Sequence, residues 1–374
     1  MIRNVAVAAT LLLVAGCGAE SVTDTSAPAP AKAYSGEADT REAAPKDAPT
    51  PPEQQRSSGL RAGSVDDNVA FADYMKYREK FAGWNIPVRD IDVRQSRIVT
   101  VVDQDGRPLP GAIVRAGQRE VRTFADGRAV LTGSGEGTVT YGNASVPLAE
   151  QGSTKVPVSR PSGRPRLQVL FLIDTTGSMQ DEIDRLKATV ATVAQRVNDL
   201  ADLEFGMTLY RDRGDAYVTR TTDFTPSVDA FRSALAEVQA DGGGDAPEDL
   251  NAALAEALDK PSWRDETLKL VFLIADAPPH LDYQDEPDYA TSITAAARRG
   301  IKIEPIASSG LDDQGEYVFR QLAQLTMGRF TFLTYGADGG SPGDNTRHHV
   351  SEYAVLSLDE LVVRLVQDEL KPLR

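Results

Sequence analysis

Oxygen-bearing side chains suited to holding a metal ion occur at three separate places in the sequence, each after an apolar run or a glycine-rich turn. In chain order these candidate ligands are Asp174, Thr176, Ser178, Asp245 and Asp276. Carboxylate and hydroxyl oxygens are hard donors, which suit Mg²⁺, Mn²⁺ or Ca²⁺ and suit Zn²⁺ or Cu²⁺ poorly. The chemistry we expect is therefore binding of a divalent cation, with Mg²⁺ as the first choice.

Two further residues are expected in a supporting role around these ligands. His280 can orient an aspartate by donating a hydrogen bond, although a structural role in the adjacent Pro-Pro turn is the other interpretation. Glu248 lies three residues after Asp245 and is a less favoured substitute for it. Asp245 itself has an alternative interpretation as the cap of the helix that follows the glycines.

The elements that must position these residues follow from the hydrophobic pattern after residue 166. An apolar run typical of a strand buried on both faces occurs at 167–173, and further strands are predicted at 205–210, 268–275, 301–307 and 329–335. Helical spacing of apolar residues separates them, at 183–200, 228–238, 250–258, 289–298, 317–325 and 358–370. This alternation predicts an α/β domain over 166–372 with a doubly wound, largely parallel sheet. Such sheets bind ligands at the carboxyl ends of their strands, which is where the candidate ligands fall.

The string Asp174-x-Thr176-x-Ser178 after a hydrophobic strand resembles the metal-ion-dependent adhesion site of von Willebrand factor type A domains. Asp276 stands where that family keeps its third-loop aspartate, and the resemblance runs from about Leu167 to Leu370. It implies a Rossmann-like domain in which these hydroxyls and aspartates hold the metal, while an acidic group of a partner takes a free coordination position.

The second loop departs from the family pattern. The family offers a threonine hydroxyl there, but residues 234–260 contain neither Ser nor Thr. We expect Asp245 to replace it, and its negative charge should hold the cation more tightly and weaken capture of an acidic partner.

Residues 66–158 read differently from the α/β half. Aromatic residues at steps of three and four predict an amphipathic helix over 66–86, which we expect to pack against the next domain; a partner-binding face is the alternative. Short strand patterns separated by turns predict a small antiparallel sandwich over 88–158. Segments 103–114 and 124–131 resemble the carboxypeptidase-regulatory-like β-sandwich, with nothing that looks like a peptidase centre.

The first 65 residues predict export and anchoring. A positive residue, an apolar run over 5–14 and small residues before Cys17 are typical of a signal peptide over 1–16. The arrangement resembles the lipobox of bacterial lipoproteins, which implies lipid on Cys17; an ordinary cleaved signal is the alternative. Residues 17–65 are rich in Ala, Pro, Ser, Thr and charge, which predicts a disordered tether.

Overall charge narrows the function classes. The formal net charge is −15 and the pI is about 4.8, which argues against nucleic acid because phosphate binding needs clustered Lys and Arg. We therefore predict a lipid-anchored protein of the bacterial cell envelope, not an enzyme, whose metal site binds an unidentified protein or surface ligand. One alternative is a structural module whose metal only orders the loops. The other is a metal-assisted hydrolase, which would need an activated water and a positioned general base.

Overall fold

The structure is a computed structural model that describes residues 61–197, 199–244, 246–308, 310–334, 348–350 and 354–374. The predicted signal peptide, the lipidation of Cys17 and residues 17–60 of the predicted tether lie outside this range, as does the candidate ligand Asp245. In the described ranges, no helix has the length and apolar character needed to cross a membrane.

Strands and helices alternate along the second half of the chain, as the sequence pattern predicts. The strands of the described part are β1 Arg61–Val65, β2 Arg97–Val102, β3 Ile113–Ala116, β4 Arg119–Arg122, β5 Arg128–Leu131, β6 Thr138–Tyr141, β7 Ala144–Pro147, β8 Ser153–Lys155, β9 Arg166–Asp174, β10 Asp202–Tyr210, β11 Thr219–Thr225, β12 Leu268–Ala275, β13 Ile301–Ala307, β14 Phe330–Thr334 and β15 Ala354–Ser357. Its helices are α1 Phe71–Ala82, α2 Gln180–Val197, α3 Val228–Ala236, α4 Leu250–Asp259, α5 Tyr289–Arg299, α6 Asp313–Leu325 and α7 Leu358–Leu370.

Eight strands form the central sheet, in the order β11-β10-β9-β12-β13-β14-β1-β15. The five strands from β10 to β14 in this order are mutually parallel, whereas β11 and β1 run antiparallel to their neighbours. The α/β class and the largely parallel sheet are thus confirmed. The carboxyl ends of β10, β9 and β12, which are adjacent, meet at one edge.

Each face of this sheet is covered by helices, because successive side chains of a strand point to opposite faces. In β9, Leu170 and Leu172 belong to a buried cluster with residues of α1, α4, α5 and α6. Phe171 and Ile173 belong to a second cluster with residues of α2, α3 and α7. The nearly continuous burial of β9 follows from this three-layer arrangement.

The N-terminal part of the described chain corrects two predictions. Residues 61–65 were expected in the tether, but they form β1, which pairs with both β14 and β15. The predicted helix forms as α1, yet it packs on the α/β domain rather than on the sandwich, and its Phe81 ring stacks on Tyr317 of α6 with centroids 4.0 Å apart.

Two small sheets follow α1. One has the order β5-β2-β8 and the other the order β4-β3-β6-β7. They share a buried cluster that includes Val101, Leu109, Val114 and Val139. The prediction of an antiparallel arrangement holds for all these pairs except β2 and β8, which run parallel.

Candidate metal centre

Three neighbouring strands bring their last residues together at the carboxyl edge of the central sheet. Asp174 ends β9, and Tyr210, at the end of β10, is its partner in the parallel register. Asp276 directly follows β12, which pairs with β9 on the other side. Because the register is fixed by strand pairing, residues a hundred positions apart in sequence meet here.

The loop after β9 folds back onto Asp174. The Asp174 Oδ1 atom accepts hydrogen bonds from the Thr176 backbone N–H at 2.9 Å and from the Thr176 hydroxyl at 2.7 Å. The Thr176 and Ser178 hydroxyl oxygens are 3.5 Å apart, and Ser178 in turn makes a hydrogen bond to Asp276. Asp174 Oδ2 is buried and accepts no well-aligned hydrogen bond from the described residues, although the Tyr210 hydroxyl lies beside this carboxylate. The loop therefore presents two hydroxyls and one free carboxylate oxygen.

The glycine-rich loop at 242–244 packs against the loop that follows β9. The Gly242 carbonyl accepts a hydrogen bond from the Gly177 N–H at 3.0 Å. Gly243 has a φ of +62°, and a Cβ atom added there would lie 2.8 Å from the Thr176 Cβ and 3.0 Å from Glu248 Oε1. Only glycine tolerates both this backbone conformation and this close approach. The glycine thus allows the second loop to come within contact distance of the first.

Among the described residues of the second loop, Glu248 contributes to the cluster. Its backbone N–H donates to the Pro278 carbonyl at 3.1 Å, and its own carbonyl accepts from the His280 N–H at 3.2 Å. Its Oε2 atom is buried and without a hydrogen-bond partner in the described part of the chain. The loop after β12 therefore fixes the backbone of Glu248, and the sequence interpretation underrated this residue.

The carboxylates at this edge have perturbed acidities. Burial raises the pKa of Asp174 to about 7, and the negative charge of Asp276 acts in the same direction. Burial likewise raises the pKa of Glu248 to about 8, with Asp174 and Asp276 among the charges that add to the rise. The pKa of Asp276 is also raised by burial, against the opposing hydrogen bond from Ser178. Among the described ion pairs, none joins these three carboxylates to a Lys or Arg.

Tyr210 is a member of the site that the sequence interpretation missed. Its side chain is fully buried, and its hydroxyl lies beside the Asp174 carboxylate. Burial raises its pKa well above the ordinary value, and the charges of Asp174, Asp276 and Glu248 act in the same direction. The available signal was its position as the last residue of the strand beside β9.

The structure thus brings Asp174, Thr176, Ser178 and Asp276 together, with Glu248 beside them. For Asp245, the capping interpretation is wrong, because Asp249 is the N-cap of α4 and accepts a hydrogen bond from the Ala252 N–H at 3.1 Å. The whole set carries oxygen donors alone, which is the donor chemistry that a hard divalent cation prefers.

His280 lies at the rim and does not contact Asp174 or Asp276. Its Nδ1 atom is 2.8 Å from Asp282 Oδ1, and its Nε2 atom is 3.5 Å from Asp212 Oδ1. Its ring stacks on Tyr283 with centroids 4.0 Å apart. The orienting role predicted for His280 therefore applies to rim carboxylates rather than to the ligands themselves.

The rest of the rim is strongly acidic, and Arg213 forms ion pairs with three of its carboxylates. The Arg213 guanidinium contacts Asp249, Asp285 and Glu286 at 3.2, 2.8 and 2.8 Å. It also lies 3.9 Å from the centroid of the Tyr283 ring. The mouth of the site is consequently a surface of mostly negative charge.

A second group with metal-ligand chemistry occurs at the start of α6. Asp313, Glu316 and His349 place one ligand atom each within 4.8 Å of one another. The Glu316 carboxylate is already held by Arg320 at 3.2 Å and by His348 at 3.1 Å. The His348 side chain is nearly buried. Since Arg320 already supplies Glu316 with a counter-charge, this group differs from the first cluster.

Comparison with known proteins gives three findings. Residues 168–334 match the von Willebrand factor A domain. The alpha-protein kinase vwkA of Dictyostelium discoideum is 28% identical over 158 residues, which are 41% of this chain and 25% of that protein. A putative ariadne-like RING finger protein, R811, of Acanthamoeba polyphaga mimivirus is 26% identical over 129 residues, which are 34% of this chain and 12% of that protein. The chain therefore spans a quarter or less of the length of these relatives.

Proposed function

We propose that the von Willebrand factor A domain formed by residues 168–334 is a metal-dependent module that binds a protein or surface partner. Domains of this kind generally mediate protein interactions, which supports the coarse assignment. The metal dependence rests on Asp174, Thr176, Ser178 and Asp276, with Glu248 as a further ligand or as a carboxylate behind them.

The observation that carries this proposal is the fully buried Asp174 carboxylate, which has no positively charged partner among the described residues. A buried carboxylate without a counter-charge destabilises the fold, and here Glu248 repeats the feature one loop away. A divalent cation would supply the positive charge and accept the free oxygens of all three loops. The donor set fits Mg²⁺, Mn²⁺ or Ca²⁺, and Mg²⁺ is our first choice.

The charge around the site bears on the partner. Glu248 and the rim carboxylates repel acidic groups and lower the net positive charge that a bound cation shows to the outside. We therefore propose that the partner surface surrounds its metal-binding group with neutral or basic residues. This differs from capture of a strongly acidic ligand, as the sequence at the second loop already suggested.

A structural role for the cation is the second candidate. The observation that favours it is Glu248, whose extra carboxylate allows the protein itself to fill a position that a partner would otherwise take. In this case the cation would only hold the loops after β9 and β12 and the glycine loop together. We do not propose an enzyme, because the ring nitrogens of His280 face Asp212 and Asp282 rather than a hydroxyl or the Asp174 cluster.

The setting we propose is the bacterial cell envelope. It rests on the sequence before and at Cys17, which resembles the signal and lipobox of lipoproteins. With lipid on Cys17, residues 18–60 would serve as the spacer between the membrane and β1. Mass spectrometry of the membrane fraction tests this directly, since a diacylated Cys17 as the first residue is the expected product.

A capture experiment separates the two roles of the cation. The full chain is immobilised and exposed to envelope extract with Mg²⁺ or with EDTA, alongside Asp174→Ala and the control Asp229→Ala, whose side chain is exposed. We expect a partner that binds the wild type and the control in Mg²⁺ and is lost with EDTA or Asp174→Ala. Equal capture by all proteins in both buffers would contradict the metal-dependent binding role and leave the structural one.

A further inference from the structure

A cleft of about 620 Å³ lies at the opposite edge of the central sheet, between its amino end and the two small sheets. Its walls come from the starts of β9 and β12, from the residues just before β13, and from β3, β4 and β6. A volume of this size is typical of small-molecule sites. The cleft is separate from the candidate metal centre and takes no part in the proposed function.

The lining of the cleft is mainly cationic, in a chain whose net charge is −15. Three of the lining residues are acidic, namely Asp265, Glu266 and Glu369, and the cationic ones are Arg122, Arg160, Arg164, Arg166, Lys269 and Arg299. The chain as a whole carries a negative net charge, so a cleft with six cationic and three acidic lining residues indicates a local preference for negative charge.

Lys269 is the central feature of this cleft. Its side chain is 5% exposed, and its ammonium makes one long hydrogen bond, 3.4 Å, to the Arg299 carbonyl. Among the described ion pairs, no carboxylate lies within 4.0 Å of it. Burial lowers the pKa of Lys269 to about 8, and the positive charges of Arg122 and Arg299 act in the same direction. A nearly buried ammonium thus lines a cleft without a counter-ion.

The acidic residues of the cleft offset this charge only in part: Asp265 and Glu266 act to raise the pKa of Lys269, and the effect of burial outweighs them. Asp265 is 3.8 Å from Arg122 and its side chain is 86% exposed, so this ion pair contributes little. Glu266 is 3.5 Å from Arg166, with both side chains more than half exposed. Glu369 is already paired with the buried Lys302. Arg164 and Arg299 are paired with carboxylates outside the lining, Asp202 at 2.9 Å and Asp259 at 3.1 Å. The cation of the cleft that has no carboxylate within 4.0 Å among the described ion pairs, and that is nearly buried, is therefore Lys269.

We propose that this cleft binds a phosphate group, either as the free ion or as part of a small phosphate monoester, with Lys269 as its main partner. A doubly charged anion matches the Lys269 ammonium together with the Arg122 guanidinium, whose own ion pair with Asp265 is long and exposed, whereas a single carboxylate carries only one of these two charges. Lysine binds phosphate as a point charge, and Arg122 adds planar donors from β4. The remaining volume and the hydroxyl and aromatic lining from β6, including Thr140 and Tyr141, accommodate a small organic part.

Calorimetric titration of the full chain tests the proposal. Inorganic phosphate and glycerol 1-phosphate are the probes, with acetate and glycerol as controls, at pH 7 and constant ionic strength. The variants are Lys269→Met and Arg122→Gln, and the matched control is Arg232→Gln, whose side chain is half-exposed on α3 and outside the cleft. We expect saturable binding of phosphate to the wild type, weakened at least about tenfold by Lys269→Met and unchanged by the control.

Phosphate also stabilises proteins by exclusion from their surface, but that effect neither saturates nor depends on Lys269. Binding of glycerol 1-phosphate together with the free ion identifies a monoester as ligand, and binding of the free ion alone identifies phosphate itself. Absence of saturable binding, equal binding by Lys269→Met, or equally tight binding of acetate would overturn the assignment. If Lys269→Met does not fold, Arg122→Gln carries the same comparison.

Discussion

The two ends of the central sheet carry buried charges of opposite sign, and both lack counter-ions. One strand shows the contrast, since Lys269 lies near the start of β12 and Asp276 directly follows its end. At the carboxyl end, burial raises the pKa of Asp174 and Glu248, and at the amino end it lowers the pKa of Lys269. Uncompensated buried charge is costly, which is why it marks places where a ligand completes the structure.

A third buried charge provides the contrast to both ends. Arg320 of α6 is almost fully buried, and it holds Asp67 through hydrogen bonds of 2.6 and 2.8 Å and Glu316 through one of 3.2 Å. Here the protein supplies its own counter-charges. The comparison teaches that this fold pairs buried charges where they are structural and leaves them unpaired at the two sheet ends.

The largest effect is expected at the paired site. Arg320→Met leaves Asp67 and Glu316 buried without their partner, and we expect it to lower the free energy of unfolding by about 3 to 5 kcal/mol. Urea unfolding measures this, with the half-exposed Arg232→Met as the control. A loss no larger than that of the control would mean that pairing does not distinguish Arg320 from the unpaired groups.

Lys269→Met is expected to raise the free energy of unfolding, whereas Arg320→Met lowers it. In the unfolded chain the lysine has a pKa of 10.5, and in the folded chain a pKa of about 8. The unfolded state therefore binds more protons between these two pH values. The buried ammonium destabilises the folded state fully below pH 8, and this destabilisation vanishes as the pH rises towards 10.5. In phosphate-free buffer at pH 7 we expect the variant to be more stable by up to about 3 kcal/mol.

The pH dependence checks this explanation of the gain. The difference between Lys269→Met and the wild type should shrink between pH 8 and pH 9.5 in urea unfolding experiments. A gain that stays constant over this range would show that packing, rather than the charge of Lys269, determines the difference.

Asp174→Asn, at the carboxyl end of the sheet, should raise the free energy of unfolding by a smaller amount than Lys269→Met. In EDTA it removes a buried charge whose pKa is about 7 in the folded chain and 3.8 in the unfolded one. The folded state binds more protons between these two pH values. The destabilisation by the buried carboxylate therefore appears as the pH rises above 3.8 and reaches its full size above 7. At pH 8 we expect the free energy of unfolding to rise by about 1 to 2 kcal/mol. The gain stays this small because the variant also loses part of the hydrogen bonding from Thr176.

In Mg²⁺ the sign of this difference should reverse, since the variant loses a ligand that the wild type keeps. Thermal unfolding in the two buffers measures both differences. The same sign in EDTA and in Mg²⁺ would contradict the account of Asp174 as a ligand.

The smallest effect is expected for His280→Gln. His280 contacts rim carboxylates that are partly exposed, so its loss should change the free energy of unfolding by less than about 0.5 kcal/mol. Cation affinity should stay within about twofold of the wild type, which calorimetry measures. A large loss of affinity would place His280 inside the metal centre instead of at its rim.

Much of the fold was predictable because its signals are local. Apolar residues dominate runs such as β12 and β13, and the predicted bounds of both strands agree with the structure. The edge strands β11 and β15 were missed, since β11 is polar and only partly buried and β15 is four residues long. For β1, the composition of the preceding segment suggested disorder, whereas pairing with β14 and β15 gives it order.

The site was predictable in part for the same reason. Asp174, Thr176 and Ser178 form a local string, and Asp276 ends a clear strand. Glu248 and Tyr210 depend on tertiary contacts that sequence spacing does not show, namely the hydrogen bonds that tie Glu248 to Pro278 and His280 and the register between β9 and β10. The cleft around Lys269 was not foreseen, because its walls come from segments more than 250 residues apart.

Equilibrium binding of Mn²⁺, followed by electron paramagnetic resonance and competed with Mg²⁺, tests the central claim most directly. The account predicts one saturable site in the full chain at pH 7.5, an affinity at least about tenfold lower in Asp174→Asn, and no change in Asp313→Asn, which alters the paired cluster on α6. Absence of saturable binding, or loss in Asp313→Asn with none in Asp174→Asn, would contradict it.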